Sequence, residues 1–319
     1  MLGIVILNFN TAEDVKVCIK SIRRTARLDY KVYVVDNHSH DDSYRILQEY
    51  YRDAEDVAVL AAEKNGGYSY GNNIGIHLAE KDGCDYILIS NPDIIFEPGA
   101  INIMLKTLQM DKRIGVSAPS VKTPGGIETQ LLSKPLTVDL YLFHKKGLNQ
   151  LAKRLPNFCK EYPVPRDHSK VYLFNGMVRG CCFMIPTELM RKLGYFDENV
   201  FLYEEESILG RKMVNLGKKA AVNYQARVIH NESSSTSISG DAFQKYHYYL
   251  SALYYLKIYG EAGTPMLVFV ALLNLASFTV KAIGSKDYRR LYRSFFRQSI
   301  RLLMTGGNPN LPGNKIDRR

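Results

Sequence analysis

Through the first third of the chain, short apolar runs alternate with longer stretches of helical pattern. Residues 4–7, 31–35, 57–61 and 86–89 are runs rich in Val, Ile and Leu. Each is followed by a segment whose apolar positions recur every three or four residues: 13–25, 43–51, 71–81 and 99–110. Strands that read as continuous apolar runs, separated by helices of this length, predict βαβ units and a mostly parallel sheet covered on both faces. The expected fold class is α/β.

The pattern loosens between 114 and 170, where prolines scatter and Lys145, Lys146, Lys153 and Arg154 form a basic stretch; this reads as an excursion from the core. Order returns with a strand over 174–186 that contains Gly180, then a short helix from Thr187. A helix over 206–216 ended by Gly217 and a last strand over 220–230 follow. Beyond Gly240 the composition changes. Residues 243–259 are rich in tyrosine and helical in pattern, and 265–280 is a sixteen-residue run without a charge, containing Asn274 and Ser277. That run falls short of the roughly 20 apolar residues a spanning helix needs. Next, Arg289, Arg293, Arg297 and Arg301 recur every four residues, with apolar residues on the other face. The pattern predicts a basic amphipathic helix lying on an anionic bilayer. The competing expectation is a helical cap with a solvated basic face.

At 319 residues the chain suits one large domain or two smaller ones, and 46% hydrophobic with 23% charged residues describes a globular protein. A formal charge of +10 calls for an anionic partner, which a membrane surface or phosphate-bearing substrates would satisfy. Nucleic acid is disfavoured, because the basic residues sit in the tail and the excursion rather than beside a reader motif. Cys18, Cys84, Cys159, Cys181 and Cys182 lack metal-ligand spacing, and the odd count argues against a disulfide framework. The run from Leu2 to Leu7 is too short, and lacks the basic leader, for a secretory signal. The expected location is therefore the cytoplasm, peripheral on the inner face of the cell membrane.

Candidate chemistry gathers at strand exits. Asn91-Pro92-Asp93 closes the run 86–89, placing a carboxylate where an open α/β sheet binds its ligand. Such a carboxylate can hold Mn²⁺ or Mg²⁺ with positions left for diphosphate oxygens, although the tripeptide alone also makes a good turn. Asn8 and Asn10 follow the first run and Asp36 ends the second, where each could line a nucleotide crevice or shape a turn. The loop with Asn65, Gly66 and Asn72 lets backbone approach a ligand and offers amides to sugar hydroxyls. Glu204, Glu205 and Glu206 start a helix, where they either favour its dipole or supply a base whose pKa crowding raises. His230 ends the last strand and is a candidate second metal ligand.

In order, Ile6-Leu7-Asn8-Phe9-Asn10, Val35-Asp36-Asn37-His38-Ser39, Asn65-Gly66-Gly67 with Gly71-Asn72-Asn73, Asn91-Pro92-Asp93, Gly194-Tyr195-Phe196-Asp197-Glu198 with Phe201-Leu202-Tyr203, and His230 resemble the inverting family 2 glycosyltransferases of the GT-A fold. The resemblance is particularly to the rhamnosyltransferase-like branch, and the motifs cover roughly residues 3 to 236. It implies a nucleotide-binding Asp36, a metal ion on Asp93 and His230, and a catalytic base at the second acidic residue of a Glu-Asp pair. That position is Glu206, with Glu205 before it; Glu replaces Asp here and Ile208 stands where a second Asp is common, so Glu205 stays an alternative. The implied donor is a dTDP- or UDP-sugar, with dTDP-rhamnose in view. The implied acceptor is a glycan or a polyprenyl-linked one, in surface polysaccharide biosynthesis. The expected organisation is a glycosyltransferase domain over 1–236, divided into a nucleotide-sugar half (1–113) and an acceptor half (114–236), and a basic helical region over 237–319. The competing readings are a degenerate glycan-binding or scaffold subunit and a sugar-phosphate nucleotidyltransferase. Oligomeric state is left open.

Overall fold

A computed structural model of the chain describes residues 1–130, 132–145, 162, 167, 169–231 and 240–305. Lys146, Lys153, Arg154 and Cys159 of the expected excursion lie outside the described residues. The centre is a nine-stranded sheet. Its first half is parallel, in the order β3 (Val57–Ala61), β2 (Tyr30–Asp36), β1 (Leu2–Asn8) and β4 (Tyr86–Ser90). β10 (Cys182–Pro186) then pairs antiparallel with β4 and with β6 (Ile114–Lys122), and β11 (Lys219–His230) runs parallel to β6. β5 (Ile94–Phe96) and β8 (Val171–Phe174) both pair antiparallel with β11, while β7 (Leu132–Ser133) and β9 (Met177–Val178) form a separate ribbon.

The parallel half follows from the apolar runs: Leu2, Ile4, Val5 and Ile6 are buried on both sheet faces. On one face lies α1 (Ala12–Thr25), which buries Val15, Cys18, Ile19 and Ile22 at helical spacing. On the other lies α3 (Gly67–Lys81), and α2 (Ser43–Tyr50) and α4 (Ala100–Met110) complete the layers. α5 (Val138–Lys145), α6 (Thr187–Lys192) and α7 (Glu205–Asn215) belong to the second half. Because β1, β2 and β4 are parallel, Asn8, Asp36 and Ser90 all emerge at one edge, and the crevice there can take a ligand.

The single strand expected over 174–186 is instead three strands. β8 pairs with β11, β9 with β7, and β10 with β4 and β6, so the chain changes partner twice within this segment. The turn after β8 holds Gly176 at φ +150°, and Gly180 lies in the turn before β10. Helix α3 starts at Gly67, four residues ahead of the expected start. Cys18, Cys84, Cys181 and Cys182 are buried and unpaired, as small core residues are, and burial pushes the thiols of Cys18 and Cys181 up to about 12.

Three helices end the described chain: α8 (Gly240–Ile258), α9 (Thr264–Gly284) and α10 (Lys286–Thr305). Their core joins Tyr246 and Leu253 of α8, Phe278 of α9 and Phe295 of α10 with Tyr141, Val200 and Ile208 from the second half. Phe278 stacks on Phe295 at 4.4 Å. The apolar face of α10 thus points into the protein through Tyr288, Leu291, Phe295 and Leu302, and its arginines face out. Its amphipathic pattern is satisfied by packing, so that face is not free to lie on a bilayer. Among the described residues α9 is the one helix long and apolar enough to cross a membrane. It exceeds the charge-free run because it continues through Lys281, whose ammonium donates to Asp241 at 2.8 Å.

Candidate functional site

The polar residues at the first two strand exits bind each other. Asn8 Nδ2 donates to Asp36 Oδ2 at 2.6 Å, as does the Ser39 hydroxyl at 2.6 Å, and the Ser39 amide donates to Asp36 Oδ1 at 2.9 Å. Asn8 Oδ1 accepts from the Thr11 hydroxyl at 2.9 Å, and Asn10 Oδ1 from the His40 amide at 2.8 Å. Asn8 and Asp36 are buried, as groups so fully bonded can be. The side chains of Asn8, Asn10 and Asp36, expected at the nucleotide, bond between the exits of β1 and β2 and are not among the residues that line the cavity. The neighbouring Leu7, Phe9, Thr11 and Asn37 line the cavity instead.

A second group of contacts ties α3 to the far side of the cavity. Asn37 Nδ2 donates to Asn65 Oδ1 at 3.0 Å, which also accepts from the Gly67 amide at 3.2 Å. The Tyr68 amide donates to Phe201 O at 2.9 Å, and the Tyr68 hydroxyl to Gly180 O at 2.8 Å. Gly67 has φ +88°, and a Cβ there would sit 2.2 Å from Phe201 O, so only glycine permits this approach. Asn65, Gly67 and Tyr68 lie on the cavity wall. Gly66 and Asn72 do not; Asn72 is wholly buried, with Nδ2 on Tyr68 O at 3.0 Å.

Asn91, Pro92 and Asp93 form the next part of the wall, beside His230. The turn is set by the Asn91 amide donating to Cys181 O at 2.8 Å and the Ile94 amide to Asn91 O at 3.4 Å. β5 then pairs with β11 so that Ile94 opposes His230, which brings His230 Nε2 to 3.2 Å from Asp93 Oδ1. Both side chains are less than a tenth exposed, and Asp93 Oδ1 accepts no well-aligned hydrogen bond among the described residues. A buried carboxylate oxygen left available next to an imidazole nitrogen fits a divalent cation of the Mn²⁺ type, with the remaining positions left to phosphate and water. The described residues hold no cluster of three His, Cys, Asp or Glu, so among them Asp93 and His230 are the two candidate ligands at this place.

Across the cavity stands the acidic run. Tyr203 and Glu204 both adopt left-handed backbone, φ +71° and +68°, and α7 begins directly after them. Each costs about 1–2 kcal/mol for a residue with a Cβ. Packing holds them: Phe201 stacks on His247 at 4.6 Å, Ser251 donates to Leu202 O at 2.8 Å, and Val200 and Ile208 are buried on either side. His247 in this aromatic nest is pushed down to about 3 by burial and stays neutral. Glu206 Oε1 accepts the Gly180 amide at 3.1 Å, and a Cβ on Gly180 would lie 2.1 Å from that oxygen. Burial, with Glu206 beside it, raises the Glu205 carboxyl well above the usual carboxylate range, which favours its protonated form. Glu204 is also buried, and its Oε2 has no partner among the described residues.

These parts enclose a cavity of about 640 Å³ whose wall carries Asp93 and His230 as well as Glu204, Glu205 and Glu206. It also carries residues that sequence reasoning passed over: Tyr68 and Arg179, and the aromatics Tyr203, Phe243 and Tyr248. Tyr68 sat in a loop already singled out for its glycines. Phe243 and Tyr248 come from α8, and nothing local marks them. Arg211, on α7, is not among the lining residues and sits beside Tyr255.

An α/β sheet with a crevice at its strand exits thus faces a run of carboxylates across one cavity. The chain belongs to glycosyl transferase family 2, whose sequence model matches residues 3–164. It is a glycosyltransferase that uses nucleotide-sugar donors. It is 27% identical over 251 residues to the low-salt glycan biosynthesis hexosyltransferase Agl10 of Haloferax volcanii, covering 77% of this chain and 72% of that protein. It is 22% identical over 250 residues to the N-acetylglucosaminyl-diphospho-decaprenol L-rhamnosyltransferase of Mycobacterium tuberculosis, covering 74% and 78%. Among solved structures, GalNAc-T7 with UDP, GalNAc and Mn²⁺ superposes with TM-score 0.59 at 12% identity, over 81% of this chain and 48% of that one. The mannosyltransferase PcManGT of Pyrobaculum calidifontis, with GDP-Man and Mn²⁺, gives 0.52 at 13% identity, over 95% and 87%. These two likenesses establish the GT-A fold.

Proposed function

We propose that this protein is a metal-dependent, inverting glycosyltransferase with a dTDP- or UDP-sugar donor, L-rhamnose being the first sugar to test. The acceptor is a glycan or a polyprenyl-linked one, in surface polysaccharide biosynthesis on the cytoplasmic face of the cell membrane. The observation that carries this reading is the lining of one cavity by the Asp93–His230 pair and the Glu204–Glu206 run. The decaprenol-linked and glycan-building relatives support the acceptor class. The cavity volume suits a ligand of this size.

Asp93 and His230 would hold Mn²⁺ or Mg²⁺, which would supply Lewis-acid stabilisation of charge on the leaving diphosphate. Glu206 takes the proton of an acceptor hydroxyl, the freed oxygen bonds to the anomeric carbon, and the bond to the diphosphate breaks on the opposite face. The proton ends on the Glu206 carboxylate, the electron pair on the diphosphate, and the anomeric configuration inverts. Gly180 N–H fixes Glu206 Oε1, and the raised pKa of Glu205 beside it lessens the charge that opposes the working carboxylate.

The test is thermal shift with dTDP, UDP, GDP and CDP, in Mn²⁺, in Mg²⁺ and in chelator. Ligand at a hundredfold its Kd stabilises the folded state by about 2.7 kcal/mol, a rise of roughly 5 °C for a chain of this size. A metal-dependent rise with dTDP or UDP supports the reading. No rise with any nucleotide refutes it in favour of a degenerate scaffold.

A further inference from the structure

Helix α9 keeps one face of its length apolar and uncovered. Val268, Phe269, Leu272, Val280 and Ile283 are between 38% and 78% exposed. With the exposed Ala276 they follow the 3.6-residue repeat, making a stripe along a helix roughly 30 Å long. The stripe bears no charge, since Lys281 lies off it and is tied to Asp241 and Tyr288. The opposite face, with Leu267, Ala271, Asn274, Phe278 and Ala282, is buried. A contiguous apolar stripe of this length marks a docking surface.

The rim of the stripe indicates its occupant. On α10 the exposed Phe296 and Ile300 lie on the edge that also carries Tyr292, whose hydroxyl accepts from Thr279 of α9 at 3.1 Å. They therefore extend the apolar strip. Farther round the same exposed face come Arg293, Arg290, Arg297 and Arg301. An apolar strip bordered on one side by a row of arginines complements acyl chains beneath anionic headgroups. A second copy of this chain is a poor match, because each molecule carries +10 and pairing the stripes would bring arginine rows together. A spanning arrangement is also a poor match, because the inner face of α9 is bonded to protein. Tyr141 donates to Asn274 Oδ1 at 3.0 Å, and Tyr249 and Ser277 share a hydrogen bond at 3.2 Å.

We propose that the α9 stripe and the arginine face of α10 together dock the protein on an anionic lipid bilayer, both helices lying in the plane of the interface. The inserting element is α9, and α10 contributes charge. α8, packed behind both, carries Phe243 and Tyr248 to the cavity wall, so the docked face and the transferase cavity share one helix. The proposal stands without the donor chemistry.

The experiment is co-sedimentation of the full chain with vesicles of phosphatidylcholine alone and of equimolar phosphatidylcholine and phosphatidylglycerol. Thermal melts confirm that each variant is folded. Wild type should pellet with the mixed vesicles and far less with phosphatidylcholine. Phe269→Gln with Leu272→Gln should weaken binding at least tenfold, as lost apolar burial requires. Arg290→Glu or Arg297→Glu should each weaken it about fivefold or more, and less so at high salt. Four results would overturn the proposal: no pelleting of wild type; an α9 variant that binds like wild type; retention of wild type on the vesicles through an alkaline carbonate wash, which means spanning; or a dimer by light scattering that Phe269→Gln dissociates.

Discussion

Alanine at Gly180 tests the proposed base without replacing any ionisable group. Its Cβ would stand 2.1 Å from Glu206 Oε1 and 2.6 Å from both Cδ and Cγ, where ordinary contact begins near 3.4 Å. The Glu206 carboxylate must therefore move by more than an ångström. Gly180 does not have positive φ, so alanine adds no backbone strain and folding should be little changed. Displacing a reacting group by about 1 Å costs roughly a hundredfold in rate, about 2.7 kcal/mol of barrier. The assay is release of nucleoside diphosphate from the donor accepted by wild type, with kcat and donor KM determined separately. The expected result is kcat down about a hundredfold with donor KM within about threefold, because the substitution replaces neither Asp93 nor His230. A kcat within about threefold of wild type, in a variant with an unchanged melt, would refute Glu206 as the proton acceptor.

Three further outcomes follow from the same contacts. Asp93→Asn and His230→Ala should each remove the Mn²⁺-dependent part of the nucleotide thermal shift while leaving the shift in chelator; an unchanged Mn²⁺ response would remove the pair as ligands. Glu205→Gln should flatten the pH dependence of stability. Below the ordinary value of 4.5 both states hold the proton; above it the unfolded chain releases a proton that the folded one keeps, so wild type loses up to about 1.4 kcal/mol per pH unit until the raised folded value is passed. Denaturant titrations at about pH 5 and about pH 8 should show wild type losing more than the variant, and parallel losses would contradict a buried neutral Glu205. Gly67→Ala should cost at least about 2 kcal/mol, from left-handed backbone and a clash with Phe201 O, and a melt within 2 °C of wild type, roughly, would show that the approach of α3 relaxes freely.

The parallel half of the sheet was legible because strands buried on both faces read as apolar runs, and α1 because Val15, Cys18, Ile19 and Ile22 repeat at helical spacing. Asp93 was legible as the first carboxylate after such a run. Other features depend on contacts that no local pattern records. His230 reaches Asp93 only because β5 turns back to pair with β11. Asn8 and Asp36 stand at strand exits as expected, but a sequence cannot say that the amide and the carboxylate there satisfy one another. The segment 174–186 is apolar enough for one strand, yet two glycine turns give its parts to three different partners. The amphipathic pattern of α10 was plain, but the sequence left open which surface its apolar side would meet. In the fold it meets α8 and α9, and the uncovered apolar face passes to α9.

The central claim is that one cavity binds the nucleotide donor through Asp93 and His230 and activates the acceptor through Glu206. The most direct measurement titrates Glu206→Gln with the nucleoside diphosphate that shifts wild type, in Mn²⁺, and follows donor turnover in the same preparation. Wild-type affinity with turnover lowered by a hundredfold or more, roughly, is the predicted result. Turnover retained at the wild-type rate, or nucleotide binding lost from a folded variant, would contradict it.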